Sequence, residues 1–323
     1  MKKLLKSNGT GMLLLMVLVV GFFGALNPTF LRPVNLIQYI NNGVVLAFLT
    51  FGLAATVISG NFDYSIGSMT GFGTVILALM LRNGVPLSLS LLLGFLILML
   101  FGVLNGFIVG YLRVPGMLGT LGTSSLIYGI ALVLTQGQAI GANSDIYKFF
   151  GKSDLGTLPF GIPLLAVVFV LSVILFDHTQ TGRNWYFVGT SSEVARYTGI
   201  DPRRTVMYAH MYSAAMCFCG ALVLGSRMAS GRADIAEGYV LQAVTAAVFG
   251  GISIKGGHGR ISGALLGVLI FTLLTSGFTM INLSQYYKQV STGVLLVLIL
   301  ILRNYRSFLP DAFIGVRRKR TEG

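Results

Sequence analysis

Long stretches without a charged residue constrain this chain more than any other feature. Ten of them are rich in apolar residues, at 7–31, 33–62, 64–81, 83–112, 114–144, 155–176, 205–226, 238–254, 261–287 and 289–302. A helix that crosses a bilayer needs about 20 mostly apolar residues, so most of these runs are long enough to span one. The runs at 238–254 and 289–302 are the shortest and the least secure as spans.

The composition agrees with a membrane location for these runs. Hydrophobic residues make up 54% of the chain and charged residues only 10%, whereas about a quarter of a soluble domain is charged. Backbone amides inside hydrocarbon must bond within their own segment, and these runs are continuous rather than alternating, which favours helices over barrel strands. We therefore predict an all-α polytopic membrane protein with about ten transmembrane helices.

The first run also resembles a secretory signal. Lys2, Lys3 and Lys6 precede an apolar stretch at 11–26, and Ala25 would suit a cleavage site. Nine further runs follow, which favours an uncleaved first span.

Basic residues outnumber acidic ones by 23 to 10, for a net charge of +13. In a polar chain this excess would suggest nucleic acid, but here membrane lipids are the expected partner and nucleic acid is not. Cytoplasmic loops of membrane proteins carry the excess of Lys and Arg. With ten crossings and the N-terminus inside, most of the 23 basic residues lie on the cytoplasmic side, so both termini are predicted to be cytoplasmic.

This topology divides the chain into three parts. Residues 1–10 form a cytoplasmic N-terminus, and residues 11–303 form a single transmembrane domain whose largest cytoplasmic loop is 177–205. Residues 304–323 form a basic cytoplasmic tail, in which Arg317–Arg320 would contact lipid headgroups.

The sequence offers no catalytic constellation. It contains no Gly-x4-Gly-Lys-Ser/Thr motif, so the chain lacks the loop that would hold nucleotide phosphates. His178, His210 and His258 are scattered over different segments, and Cys217 and Cys219 are spaced to lie on different sides of a helix, so neither a metal site nor a nucleophile–base pair is indicated. We predict that the chain is not an enzyme.

Polar residues inside the apolar runs are candidates for a solute pathway. Asp63 precedes the run at 64–81, where it could cap a helix or act in the pathway or gate. Six uncharged residues are further candidates to line the pathway, although such side chains often only bond neighbouring helices. They are Asn41, Asn42, Asn105, Thr120, Thr123 and Ser124.

Glycines recur at a spacing of four in several runs. Gly102, Gly106 and Gly110 form one set, Gly259, Gly263 and Gly267 another, and Gly67 with Gly71 a shorter pair. Small residues at this spacing share one helix face and allow close helix approach. We interpret them as packing faces within the chain, with a subunit interface as the alternative for 263–267.

The cytoplasmic loop carries the signals of a short helix. Thr190-Ser-Ser-Glu193 matches a capping box, Val194, Tyr197 and Ile200 follow at helical spacing, and Gly199 and Pro202 supply a stop. A helix of two turns or less in this place could dock an apolar ridge into a cytoplasmic partner, or simply complete the loop.

Five motifs together resemble a known family. They are NFDYSIGS at 61–68, VPGMLGTLG at 114–122, TGR at 181–183, EVARYTGI at 193–200 and EGYVLQAVTAAVFGG at 237–251. In this order they resemble the permease subunits of bacterial ABC importers for simple sugars, of the ribose, galactose, xylose and autoinducer-2 type. The likeness extends from about residue 35 to 302.

The resemblance implies a fold like that of type II ABC importer permeases, in the bacterial inner membrane. It also implies a second permease, the same or a related chain, two cytoplasmic ATPases that use ATP and Mg, and a periplasmic substrate-binding protein. The permease itself would bind no cofactor and no metal. In this family the loop helix contacts the ATPase, which makes candidates for coupling of Glu193, Val194, Ala195, Arg196, Gly199 and Ile200.

The function implied is import of a small polar solute, a monosaccharide or related compound. The sequence departs from the family pattern at 61–65 and 115–118, so another solute stays open. Branched-chain amino-acid permeases share the fold, but Thr181–Arg183 and Tyr239–Gly251 resemble the sugar group more closely. The alternative function is that of an ion-coupled secondary transporter working alone.

Overall fold

The computed structural model of the protein describes residues 8–142, 144–152, 154–155 and 158–308. Residues 1–7 of the predicted N-terminal part lie outside the described residues. The same holds for most of the predicted basic tail, because the described part of the chain ends at residue 308.

One helix corresponds to each of the ten apolar runs, and α3, α10 and α13 extend beyond the ends of theirs. In chain order these helices are α1 (Asn8–Leu26), α2 (Pro33–Ile58), α3 (Ile66–Arg82), α4 (Leu87–Gly106), α5 (Gly116–Thr135), α7 (Gly161–Val173), α10 (Pro202–Met228), α11 (Tyr239–Phe249), α12 (Ile261–Met280) and α13 (Gln285–Phe308). Two of them continue as π-helical turns, α4 through Phe107–Tyr111 and α7 through Ile174–His178.

Short elements fill the connections. A 3₁₀ turn, Pro28–Leu31, joins α1 to α2, and three helices lie outside the runs: α6 (Asp145–Lys152), α8 (Gln180–Thr190) and α9 (Ser192–Tyr197). Four two-residue strands form two antiparallel pairs. β1 (Ile140–Gly141) pairs with β4 (Ser230–Gly231), and β2 (Asp154–Leu155) pairs with β3 (Leu158–Pro159).

The prediction of an all-helical polytopic membrane protein is confirmed. Among the described residues, six helices are long and apolar enough to cross a membrane: α2, α4 and α7 with their π-helical turns, α5, α10 and α12. Helix α11 has only 11 residues, about 16 Å at 1.5 Å per residue, which is roughly half of a hydrocarbon core. The run at 238–254 therefore does not form a full spanning helix.

Helix α2 forms the centre of the bundle. Every residue from Gly43 to Ile58 is buried, and apolar residues occur on all sides of the helix. A helix that is apolar all round is expected to be enclosed by other helices. Here α3, α7, α10, α11 and α12 pack around it.

The glycine face of α4 packs against α10, as predicted. A β-carbon at Gly106 would lie 2.6 Å from Cα of Met207, and one at Gly110 would lie 2.7 Å from the carbonyl oxygen of Arg203. One at Gly102 would lie 2.7 Å from Cβ of Ala214. The absence of side chains on this face is what brings the two helices together.

The other two glycine sets also pack within the chain. Gly263 and Gly267 of α12 lie against the backbone of Gly250 and Ala246 at the end of α11. Because this face is already occupied within the chain, the structure favours the packing interpretation over a subunit interface. Gly67 and Gly71 of α3 accommodate carbonyl groups of the segment between α10 and α11.

We expect Gly106→Val to lower the free energy of unfolding by about 1–3 kcal/mol, because its side chain would overlap the backbone of α10. Gly122 of α5 is the matched control, since no heavy atom lies within 4 Å of a β-carbon built there. The midpoint of thermal unfolding of the purified proteins in detergent measures the effect. Equal midpoints for Gly106→Val and Gly122→Val would contradict the packing face.

Candidate functional site

The cytoplasmic loop predicted at 177–205 contains two helices rather than one. Thr179 begins α8, its Oγ1 accepting a hydrogen bond from the backbone N–H of Gly182 at 3.2 Å. Trp185 is buried, and its indole N–H donates to the carbonyl oxygen of Thr205 at 3.2 Å. This contact anchors α8 to the first turn of α10. The only tryptophan of the chain, set in a polar loop, is the sequence signal that could have revealed α8.

Helix α9 lies where the capping signals predict it, but the cap is shifted by one residue. Ser191 accepts the hydrogen bond of the Val194 backbone N–H at 3.3 Å and is the N-cap. Thr190, predicted as the cap, ends α8 instead and donates to the carbonyl oxygen of Tyr186 at 2.9 Å. The predicted N-cap is therefore wrong by one residue. The predicted stop is confirmed, since Gly199 follows α9 with a φ of 84°.

The two faces of α9 have different surroundings. Ala195 is only 2% exposed and packs in a cluster with Val109, Val188 and Val206. Val194 is 61% exposed and Tyr197 is 85% exposed. We call Val194 and Tyr197 the α9 ridge. A helix held on one side by the bundle and apolar on its open side is suited to bind another protein.

A polar cavity of about 980 Å³ opens beside α9. Four of the predicted coupling residues line it, namely Glu193, Arg196, Gly199 and Ile200. The other charged groups in its wall are Arg113, Asp201, Arg203 and Lys255. Cations outnumber acids in this wall, so the cavity presents a net positive charge beside the α9 ridge.

Asp63 is fully buried at the start of α3. Its Oδ1 accepts hydrogen bonds from the backbone N–H of Ser65 at 3.0 Å and from the Ser65 hydroxyl at 2.6 Å. Its Oδ2 accepts from the Ser213 hydroxyl of α10 at 2.8 Å. These contacts fix the turn that precedes α3 and link it to α10, while the N-cap residue of α3 is Ser65 and not Asp63.

Three predicted pathway residues join the same network. Asn105 donates from Nδ2 to the Ser65 hydroxyl at 2.8 Å, and the Thr123 hydroxyl donates to Asn105 Oδ1 at 2.5 Å. Thr120 accepts from the backbone N–H of Tyr64 at 2.8 Å. Asn105, Thr120 and Thr123 are all buried. The network thus ties α3, α4, α5 and α10 together, which is the helix-bonding role left open by the sequence.

The remaining candidates occupy separate places. Asn41 accepts hydrogen bonds from the Arg227 guanidinium, through its carbonyl oxygen and its Oδ1, both at 2.5 Å. Asn42 lines a cavity of about 420 Å³ between α2, α11, α12 and α13. Ser124 lines a smaller cavity of about 270 Å³ between α3, α5 and α11.

Sequence reasoning missed most of the wall of the smaller cavity. Besides Ser124, its polar and aromatic lining consists of Tyr64, Ser68, Ser125, Tyr128 and Glu237. Glu237 lies between two apolar runs and therefore reads as a residue of an external loop. Nothing in its spacing indicates that the chain folds back into the bundle there.

The fold and these sites define a class of protein. The chain is a multi-pass membrane protein with polar cavities among its helices. It also has a short, partly exposed helix, α9, beside a cavity of net positive charge. These features suit a transport subunit driven by another protein. Among the described residues, no group of three His, Cys, Asp or Glu side chains could hold a metal ion.

Comparison with known sequences identifies the family. The chain belongs to the family described as the branched-chain amino acid transport system / permease component, which it matches over residues 35–300. It is thus an importer permease of the bacterial inner (plasma) membrane and not an enzyme, and ATP hydrolysis takes place in a separate subunit.

Relatives with described functions cover nearly the whole chain. The ribose import permease protein RbsC of Bacillus subtilis is 28% identical, over 91% of this chain and 91% of its own length. The autoinducer 2 import system permease protein LsrD of Yersinia enterocolitica is 31% identical, over 90% and 89%. LsrC of an Enterobacter species is 31% identical, over 94% and 88%. No solved structure matches the chain.

We expect Thr123→Val to lower the free energy of unfolding by about 1–3 kcal/mol, because it leaves the buried Oδ1 of Asn105 without its donor. Thr279→Val removes an exposed hydroxyl that bonds only within its own helix and should change stability by less than about 0.5 kcal/mol. Thermal unfolding in detergent compares the two variants. A midpoint for Thr123→Val as high as that of Thr279→Val would show that the network does not hold the helices.

Proposed function

We propose that this permease imports a small polar solute, a monosaccharide or a related compound. The observation that supports it most directly is the set of relatives named for ribose and autoinducer 2, which align with about nine tenths of the chain. The hydroxyl-rich walls of the two membrane cavities agree with such a solute, because hydroxyl and amide groups exchange hydrogen bonds with a polyol.

In the proposed topology both termini are cytoplasmic and the chain crosses the membrane ten times. Eight crossings are single helices, and the other two are made by α3 and α11, each together with the segment that precedes it. The loop 177–205 then faces the cytoplasm, and residues 304–323 form the basic tail at the lipid headgroups. Support comes from the ten helices in the ten apolar runs.

The proposed coupling element is α9 with its ridge. Val194 and Tyr197 would insert into a groove of the ATPase, with Glu193, Arg196, Gly199 and Ile200 around them. The buried Ala195 would pack α9 against the bundle rather than contact the ATPase. Because α8 precedes α9 directly and is anchored to α10 through Trp185, movement of the ATPases on binding ATP and Mg would reach the centre of the bundle.

The proposed complex contains two ATPases, a second permease and a periplasmic binding protein. This chain would bind neither the nucleotide nor a metal, consistent with its lack of a phosphate-binding motif. Membership of the family supports this complex and not the ion-coupled secondary transporter.

Reconstitution tests the proposal as a whole. The chain should co-purify with its cognate ATPase, and proteoliposomes that contain both should take up ribose or another solute offered with its binding protein only when ATP is present. Uptake that needs no ATPase and collapses with the proton or sodium gradient would contradict the proposal.

We expect the double substitution Val194→Ser and Tyr197→Ser to weaken binding of the ATPase by tenfold or more, since two exposed apolar side chains of an interface are worth about 1.4 kcal/mol or more. Leu112 is the control, an exposed leucine at the turn between α4 and α5. Co-purification and ATPase-coupled uptake measure the effect. An unchanged ATPase content in the double variant, or an equal loss with Leu112→Ser, would remove the assignment of the ridge.

A further inference from the structure

The segment that joins α10 to α11 carries charged residues into the interior of the bundle. Helix α10 has 27 residues, about 40 Å, and therefore reaches from one membrane surface to the other. Helix α11, which returns, has only 11 residues. Residues 229–238 must make up the rest of the crossing, and ten extended residues can span up to about 33 Å.

The far end of α11 lies at the same surface as the α9 ridge. The glycine-rich loop that follows α11 donates from the backbone N–H of Gly257 to the carbonyl oxygen of Ile58, the last residue of α2, at 2.9 Å. A β-carbon at Gly256 in this loop would lie 2.8 Å from the carbonyl oxygen of Gly189 in α8. Since α11 rises about 16 Å from this surface, its first residue lies near the middle of the membrane.

The segment reaches this depth along α3. The backbone N–H of Arg232 donates to the Thr74 hydroxyl at 3.2 Å, the carbonyl group of Ala233 lies against Gly71, and that of Ala236 lies against Gly67. The chain thus descends nearly two turns of α3 before α11 begins. Glu237 is the residue that follows Ala236, so its backbone lies at mid-membrane depth.

Lipid surroundings do not suit the ionisable side chain of Glu237. It is exposed on the surface of the single chain, and ionisable groups within a bilayer face the bundle interior or a water-filled cavity because hydrocarbon does not solvate them. Backbone that is not helical at this depth is likewise found where it lines a cavity. The cavity of about 270 Å³ that Glu237 lines meets both requirements.

The wall of this cavity has a definite chemistry. Ser68, Ser124 and Ser125 line it together with Glu237, and Tyr64 and Tyr128 are its aromatic residues. A carboxylate accepts two hydrogen bonds side by side, tyrosine rings offer apolar faces, and hydroxyls both donate and accept. The volume lies just below the roughly 300–1,000 Å³ of small-molecule sites.

We infer that this cavity is a solute-contact site on the translocation pathway, selective for neutral polyhydroxylated compounds. Glu237 accepts hydrogen bonds from neighbouring hydroxyls of the solute and repels anions by its charge. The inference rests on the proposed transport function. It adds a binding residue in the segment just before a half-length helix, in the middle of the membrane, a position where transporters that contain broken helices bind their solutes.

Cysteine labelling tests the site without any ATPase. Cys217 and Cys219 are first replaced by Ala, and Ser124→Cys is introduced into the full chain in proteoliposomes. Rates are measured with a cationic and an anionic methanethiosulfonate reagent, each divided by its rate with a free thiol in solution. We expect the cationic reagent to react about tenfold faster, which corresponds to about 1.4 kcal/mol of attraction.

Two controls make the result specific. Adding Glu237→Gln should remove the preference for the cationic reagent, whereas Asp234→Asn should lower it by a smaller factor, because Asp234 lies outside the cavity wall, although its charge reaches Tyr128. Leu126→Cys, two residues further along α5 and outside the cavity wall, should react with neither reagent. D-ribose at high concentration should slow labelling of Ser124→Cys, and less so with Glu237→Gln.

The outcomes separate the two proposals. Labelling of Ser124→Cys as slow as that of Leu126→Cys, a charge preference that survives Glu237→Gln, or no protection by ribose would overturn the site. Failure of the chain to bind any ATPase would overturn the importer complex and leave the labelling result unaffected.

Discussion

Enclosure of α2 by the other helices is the interaction on which the rest of the structure depends. Its residues from Gly43 to Ile58 are buried, and its buried hydroxyls of Thr50 and Thr56 donate to carbonyl groups of the same helix. In a membrane no gain from leaving water draws helices together, so close packing must do so. The surrounding helices therefore approach α2 and each other through small residues such as Gly52, Gly106 and Gly220.

Close packing also explains how function is distributed over the bundle. The polar groups of the Asp63 network form hydrogen bonds between helices, which makes this part of the bundle rigid. The polar groups that line cavities lie elsewhere, in the two cavities beside α11 and in the cavity beside α9. In the proposed coupling, movement of α9 would reach the cavities through this rigid centre, because α8 and α10 are joined through Trp185.

The candidate site could be predicted only in part from sequence. The position of α9 followed from its cap and its glycine stop, since these act within a few residues, yet the N-cap moved from Thr190 to Ser191 because α8 extends to Thr190. Asn105 and Thr123 were expected near a pathway, but whether an intramembrane polar group faces another helix or an open space depends on partners far away in the chain. Glu237 was missed for the same reason.

The amino-acid sequence is enough to specify an all-helical membrane protein, since its apolar runs are nearly free of charge and hydrocarbon requires each spanning segment to satisfy its own backbone. That the protein is a permease is indicated by the resemblance of its five ordered motifs to a known family. The tertiary structure decided which of these segments are complete crossings and where the polar side chains point. A hydropathy profile cannot distinguish a half-length helix that starts at mid-membrane from a short span. The depth of Glu237 is seen only in the folded chain, from the contacts of two glycines of α3 with residues 233 and 236.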